Sequence, residues 1–245
     1  CNPMNLDVHN ATAWSEAMFG EVELGDKRLT KRLVQIGQQL SENTGVSLSK
    51  SCGGDDALIE GSYRFLRNDK ITASQIAAGG YDVAGAIAQS HTLLLAIEDT
   101  TSVVYRHEVS KELGYTTSKI DAKSRGYLVH STILMDANTE KTIGLIAQER
   151  WCRQKNEYGK RASRVTRPYK EKESYKWEKN SQEVAARLGP KQQDTISVCD
   201  RDADVYEYIQ YKLRACQRFI IRATHNRKLS GFNKLFDVLK DEDVL

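Results

Sequence analysis

The sequence predicts an α/β protein in two parts: a small all-helical domain at residues 1–70, followed at residues 71–245 by a mixed sheet with flanking helices. Two observations support this prediction. Up to about residue 88, apolar residues recur every three or four positions, which is typical of amphipathic helices. From residue 92 onward they form short runs bounded by turn residues, which is typical of strands, and two helical stretches separate the later runs.

Four helices are predicted in the first ninety residues, at 11–19, 26–41, 55–66 and 72–88. The second has an apolar stripe on one face, and its polar face carries four cations: Lys27, Arg28, Lys31 and Arg32. The fourth begins with a capping box, since Thr72 is followed three residues later by Gln75. Glycines between these segments end the helices and make the turns.

Five strands and two more helices are predicted after Ser90. The strands are expected at 92–97, 126–135, 142–149, 195–199 and 218–222, and the helices at 174–188 and 203–213. The order is three strands, helix, strand, helix, strand. That order predicts a mixed sheet whose last strands are parallel, because a helix between two strands carries the chain back across the sheet.

The composition is that of an ordinary globular protein. Of the 245 residues, 40% are hydrophobic and 28% are charged. No apolar run approaches the roughly 20 residues that span a membrane, so no membrane partner is expected. The five cysteines are widely spaced and include no Cys-x-x-Cys pair, which predicts a reduced, cytoplasmic protein without a zinc site.

One stretch is strongly basic although the net charge of the whole chain is only +3. Between residues 150 and 179, eleven Lys and Arg accompany four Glu, a local net charge of +7, and five Trp or Tyr lie among them. Cations that neutralise phosphates and rings that stack on bases are typical of nucleic-acid binding. A solvated surface loop is the alternative interpretation of this stretch.

Aspartates follow two of the apolar runs, about a hundred residues apart. The run at 93–97 leads to Asp99, and the run at 195–199 leads to Asp200. Two carboxylates at the ends of neighbouring strands could bind one divalent cation, which prefers oxygen ligands, and paired metals suit phosphodiester chemistry. Alternatively, Asp200 and Asp202 only cap the helix predicted from Ala203.

Several motifs, in order, resemble the cut-and-paste DDE transposases of the insertion-sequence-four family, the group of the Tn-five transposase. The resemblance covers about residues 11–227. Its motifs are LGDKRLTKRL, EGSYRFLRN, TLLLAIEDTTSVVYRH, DAKSRGYLVHS, EKESYKW, VCDRDAD and FIIRATHNRK.

This resemblance implies a ribonuclease-H-like catalytic domain with two aspartates and a glutamate that bind two Mg²⁺ or Mn²⁺ ions. Asp99 in EDTT and Asp200 in CDRD match the two aspartates. The glutamate belongs to a Tyr-x2-Arg-x3-Glu-x6-Lys motif that these 245 residues do not contain, so they are expected to be a truncated, inactive part of the enzyme. His130, inside an apolar strand, is expected to be a core residue rather than a general base.

The resemblance also implies the partners. The helical domain would bind double-stranded transposon-end DNA, the whole enzyme would join it to target DNA, and a homodimer would form the synaptic complex. The candidate DNA-binding residues are Lys27, Arg28, Lys31, Arg32, Arg67, Arg222 and Arg227. Ordinary solvent-facing cations are the alternative for each of them. There are two alternative functions. One is a non-catalytic DNA-binding regulator derived from a transposase, and the other is a host nuclease of the same fold.

Overall fold

The computed structural model describes residues 10–117, 124–154, 166–231 and 234–241. Five helices come first, then a five-stranded sheet with further helices. The helices are α1 Ala11–Phe19, α2 Lys27–Glu42, α3 Leu48–Ser51, α4 Asp56–Leu66, α5 Ala73–Ala88, α6 Lys176–Leu188, α7 Tyr206–Arg214 and α8 Leu235–Asp241. The strands are β1 Leu94–Tyr105, β2 Arg125–Asp136, β3 Thr142–Trp151, β4 Thr195–Cys199 and β5 Arg218–Ile221. The predicted α/β class, with a helical region before a mixed sheet, is confirmed, and the architecture is compatible with a ribonuclease-H-like fold.

Side-chain caps define where the N-terminal helices begin. Asp26 and Asp55 accept hydrogen bonds from backbone N–H groups in the first turns of α2 and α4. Behind these caps the helices bury a wholly apolar cluster made of Leu24, Leu33, Ile36 and Phe65. The apolar stripe of α2 therefore faces the other helices, as its periodicity predicts.

Helix α5 joins the helical region to the sheet. Its predicted capping box is confirmed, because Thr72 and Gln75 satisfy each other's backbone N–H groups. Its first turns contribute Ile76 to the apolar cluster of the N-terminal helices, whereas Ala84 and Ala88 near its end pack on the sheet. A boundary at residue 70 therefore stays a prediction, since the next helix contributes to both cores.

The strand order is β3-β2-β1-β4-β5. Strands β1, β2 and β3 form an antiparallel meander, while β4 lies parallel to β1 and β5 parallel to β4. The prediction that β1 ends at residue 97 is wrong, because the strand continues to Tyr105. The residues of β1 after Glu98 are mostly exposed and pair only with β2. They therefore lack the apolar signal that marks a buried strand in a sequence.

Helices α5, α6 and α7 cover one face of the sheet. Alternate residues of a strand point to opposite faces, and Leu94, Ala96 and Glu98 of β1 are the buried set. Ala84 and Ala88 of α5 and Val184 and Leu188 of α6 pack against the apolar members of this set. Asp99 belongs to the alternate set and is exposed.

Within the residues that the structure describes, no helix combines the length and apolar character needed to cross a membrane. The cysteines Cys52, Cys152, Cys199 and Cys216 are all free thiols.

Candidate functional site

The parallel pairing of β1 and β4 brings Asp99 and Asp200 to neighbouring positions. The last residue pair in this ladder is Glu98 with Cys199, so the next residue on each strand is one of the two aspartates. Both aspartates are exposed. Asp99 lies inside the long strand β1 rather than just after it, at the point where its partner β4 ends. We call this point, defined by Asp99 and Asp200, the acidic rim.

Each rim carboxylate makes one local hydrogen bond. Oδ1 of Asp99 accepts the Thr100 N–H at 2.7 Å, and Oδ1 of Asp200 accepts the Asp202 N–H at 2.9 Å. Asp200 caps a single 3₁₀ turn at Arg201–Ala203, and α7 begins only at Tyr206. The interpretation that Asp200 caps the helix predicted from Ala203 is therefore wrong, because Val205 precedes the first turn of α7 and makes no side-chain cap. Within the described part of the chain, the second oxygen of each carboxylate has no hydrogen-bond partner and is left for another ligand.

Two adjacent carboxylates supply part of the oxygen shell that a divalent cation needs. Among the described residues, no group of three or more His, Cys, Asp and Glu is arranged to hold a metal ion. The donor chemistry at the rim fits Mg²⁺ or Mn²⁺, but two carboxylates fill only some of about six coordination positions. Binding of metal by Asp99 and Asp200 stays a prediction.

A layer of buried polar side chains lies beneath the acidic rim, on the helix-covered face. Glu98 is only 2% exposed, and its Oε2 accepts a hydrogen bond from Asn180 Nδ2 at 3.1 Å. The same Asn180 amide group donates to Thr132. His130 is completely buried, as expected, and its Nε2 lies 3.6 Å from Glu98 Oε2. These groups connect β1, β2 and α6 directly below the rim.

Two lysines border this layer, and burial lowers the pKa of both. Lys212 is fully buried, and its Nζ donates to Ser197 Oγ at 2.7 Å and to Gln217 Oε1 at 3.0 Å. The charge of Glu98 opposes the lowering of the Lys212 pKa by burial. Lys176 places its Nζ 5.3 Å from the ring centroids of both Trp151 and Trp177. The charges of Glu173 and Asp202, and more weakly Asp200, oppose the lowering at Lys176.

Patterns in the sequence do not single out Asn180, Lys176 or Lys212 as site residues, and they do not favour Glu98 as a third acid. The alternation along β1 was the available signal for Glu98, because it shares a strand face with Leu94 and Ala96. A charged residue in such a set needs a buried partner. That partner, Asn180, is 82 positions away in the sequence.

The four cations of α2 have different surroundings. Lys27 and Lys31 are exposed and one turn apart. Arg28 is exposed but forms an ion pair with Asp26, with 2.8 Å between Nη2 and Oδ2. Arg32 is half-buried, donates to Gln35 Oε1 at 2.8 Å and lies against α4, where a Cβ at Gly61 would come within 2.7 Å of its Cζ. Contact of any of them with DNA stays a prediction.

The other predicted DNA-binding residues lie at two places. Arg67 is exposed at the end of α4, with its guanidinium 5.6 Å from the centroid of the Tyr63 ring. Arg222 is exposed directly after β5, and its backbone N–H donates to the carbonyl of Cys199, the residue before Asp200. Arg222 is thus brought to the acidic rim, whereas Arg67 belongs to the helical region.

Arg227 is bound to Asp204, a nearly buried carboxylate that also accepts the backbone N–H groups of Thr224 and His225 at 2.7 and 2.8 Å. Burial by itself would raise the pKa of Asp204. The hydrogen bonds from Arg227 and from the two N–H groups outweigh burial and lower that pKa below its usual 3.8. Arg227 therefore holds the segment after β5 against the turn after β4, and a DNA contact from it stays a prediction.

The centre of the basic stretch, residues 155–165, lies outside the described residues. On either side of it, ion pairs engage several of the cations. Arg153 pairs with Glu173, Lys179 with Glu149, and Lys172 with Glu207. These pairs favour a structural role for part of the stretch.

Comparison with protein families identifies the helical region. Residues 11–71 match the family model described as transposase DNA-binding. The match begins at the first residue of α1 and ends just before the Thr72 cap of α5, so it covers α1 to α4. It supports a transposase or DNA-binding role, with DNA as a partner of this region.

Proposed function

We propose that this chain is part of a DDE transposase of the insertion-sequence-four type, which cleaves transposon ends and joins them to target DNA with Mg²⁺ or Mn²⁺. The observation that carries the proposal is the register of β1 and β4, which makes Asp99 and Asp200 neighbours in a chain whose residues 11–71 match a transposase DNA-binding family. A DNA-binding region followed by two neighbouring carboxylates that can bind metal is part of the arrangement that such an enzyme requires.

In this proposal, Asp99 and Asp200 are the catalytic aspartates and metal ligands. Asp99 and Asp200 would hold divalent ions, which would supply an activated water and stabilise the leaving oxygen in phosphodiester cleavage. The carboxylates contribute negative charge and oxygen ligands at an exposed edge, where a DNA strand can reach them. Arg222, beside Cys199 at the same edge, is placed to neutralise a phosphate near the metals.

The helical region binds the transposon end in this proposal. Lys27 and Lys31 form an exposed cationic pair on α2, and Arg67 adds a cation at the end of α4. Arg28, Arg32 and Arg227 have protein partners, and their additional contacts with DNA belong to the same proposal. Target DNA, a homodimeric synaptic complex and a cytoplasmic location are further parts of it.

One observation favours a second candidate, a non-catalytic DNA-binding regulator. Among the described residues, no three His, Cys, Asp or Glu side chains are grouped so that they could hold a metal ion. A protein with the DNA-binding region but an incomplete metal site would occupy transposon ends without cutting them.

The role in transposition can be tested with DNA duplexes taken from the two sides of the gene that encodes this chain. Transposon ends lie outside the transposase gene. We therefore expect the chain to bind a flanking duplex at least about tenfold more tightly than an unrelated duplex of equal length. Specific DNA-binding proteins typically discriminate by larger factors than this. The measurement is a competition mobility-shift titration at fixed salt. Equal affinity for both duplexes would contradict recognition of transposon ends.

A nicking assay on the same labelled duplex separates the enzyme from the regulator. We expect no cleavage by these 245 residues with Mg²⁺ or Mn²⁺, because two carboxylates leave the second metal without a complete shell. The protein expressed from the whole reading frame should nick the duplex, and Asp99→Ala should abolish that nicking. Binding without nicking by the whole protein would favour the regulator.

A further inference from the structure

One imidazole contacts both residues that flank Asp99. Nδ1 of His130 lies 2.9 Å from the hydroxyl oxygen of Thr100, and Nε2 lies 3.6 Å from Oε2 of Glu98. His130 is also the direct partner of Thr100 in the β1–β2 register. Glu98 and Thr100 are two residues apart and therefore point to the same face of β1, while Asp99 between them points to the other.

The imidazole is itself held in place. It is completely buried, and the ring of Trp177 from α6 meets it edge to face, with 4.5 Å between the ring centroids. Glu98 is fixed on its other side by Asn180, which also bonds to Thr132 on β2. The residues on both sides of Asp99 are thus tied to rigid elements, β2 and α6.

We propose that His130 is a positioning residue, which fixes the backbone of β1 at Asp99 by contacting Glu98 and Thr100 together. This inference rests on the proposed function, in which Asp99 binds metal beside Asp200. A carboxylate on an exposed strand segment needs such support, because ligand geometry must be held within about 0.5 Å for a site to work. β4 ends at Cys199 and gives β1 no ladder partner beyond Glu98.

We call the two contacts of His130, with Thr100 and with Glu98, the clamp. The contact with Thr100 is within hydrogen-bond distance through Nδ1, whereas the contact with Glu98 is a 3.6 Å approach of Nε2 to Oε2. Among the described residues, neither Oε1 of Glu98 nor Nε2 of His130 has a hydrogen-bond partner, and Asn180 is the one hydrogen-bond donor to the buried Glu98 side chain.

Substitution of His130 tests the clamp with two measurements on the 245-residue chain. In His130→Leu, which removes both contacts, amide hydrogen exchange measured by NMR should become faster at residues 98–101 and stay unchanged at residues 94–96. The affinity for Mn²⁺, measured by EPR titration, should fall at least about tenfold, the usual loss when the support of a metal ligand is removed. His130→Asn, which keeps a polar group near the position of Nδ1, should recover part of the affinity.

Two further variants keep the test decisive. Thr100→Val removes only the hydroxyl at nearly constant volume, so it covers the case in which His130→Leu does not fold. Thr195→Val is the control: Thr195 is as completely buried as His130, and the variant loses one hydrogen bond, to the carbonyl of Lys191, but Thr195 lies at the far end of β4 from Asp200. It should leave exchange at residues 98–101 and the Mn²⁺ affinity unchanged.

The outcomes separate the clamp from the metal site. Uniformly faster exchange along β1, or Mn²⁺ affinity lowered equally by Thr195→Val, would overturn the positioning role in favour of general stability. Unchanged exchange at residues 98–101 in both His130→Leu and Thr100→Val would also overturn it. If Asp99→Ala leaves Mn²⁺ binding of the parent chain unchanged, the proposed metal site is wrong, while the exchange data still decide whether His130 fixes β1.

Discussion

The core of the N-terminal helices and the core beneath the acidic rim are built from different side chains. The first is mainly apolar, with Leu33 and Phe65 among its buried members, and it also buries the small hydroxyl side chains of Ser15, Ser51 and Ser62. The second buries Glu98, His130 and Lys212 with their hydrogen-bond partners. Apolar burial stabilises without fixing directions, whereas hydrogen bonds fix distances and angles. We infer that the first core keeps the helical region, the platform for DNA, folded. The second core fixes the positions of β1 and β4 at the acidic rim.

The largest effect is expected in the apolar core. Phe65→Ala should lower the free energy of unfolding by about 3–5 kcal/mol, because it removes a fully buried ring and leaves a cavity. Leu66→Ala is the matched control, since Leu66 is 56% exposed and its loss should cost less than about 0.5 kcal/mol. Urea denaturation measures both. Similar losses for the two variants would show that this helix does not pack as described.

A directional interaction should give a smaller, pH-dependent effect. Asp204→Asn removes the charge that binds Arg227 and two N–H groups, which we expect to cost about 2 kcal/mol near pH 7. The folded-state pKa of Asp204 is lowered, so its stabilisation is fully present above the unfolded pKa and is lost as the pH falls through the folded value. The difference between parent and variant should therefore shrink below about pH 4.

Exposed Asp202, two residues earlier, provides the control for this prediction. Asp202→Asn removes the same charge without the Arg227 contact and should change the free energy of unfolding by less than about 0.5 kcal/mol. Urea denaturation at several pH values measures both variants. A cost for Asp204→Asn that stays constant from pH 7 to pH 3 would contradict the described role of the carboxylate.

The smallest effect is expected on the surface of the helical platform. Replacing Lys27 and Lys31 with Ala should flatten the slope of log K against log salt by about 1.8 for DNA binding, if each lysine contacts one phosphate. Arg28 and Arg32 are left in place because Asp26 and the surface of α4 already hold them. Replacing the exposed Lys111 and Lys141 of the sheet region removes equal charge and should leave the slope nearly unchanged. Equal slopes for both double variants would show that α2 does not face DNA.

Local interactions made much of the fold predictable. The capping box of Thr72 and Gln75 acts within three residues, so the sequence alone locates the start of α5. The buried strand β4 was predicted with its observed bounds, because a short apolar run between turn residues has few other structures. The exposed half of β1 was missed, since its pairing with β2 does not require apolar residues.

The sequence by itself determined the order of helices and strands and the aspartates that follow two apolar runs. Tertiary structure decided which neighbours those acids have. Glu98 and Asp99 are adjacent acids, yet one is buried beside His130 and Asn180 and the other is exposed beside β4. The physical reason is that strand alternation separates the two side chains, while residues 30 to 100 positions away decide which face is covered.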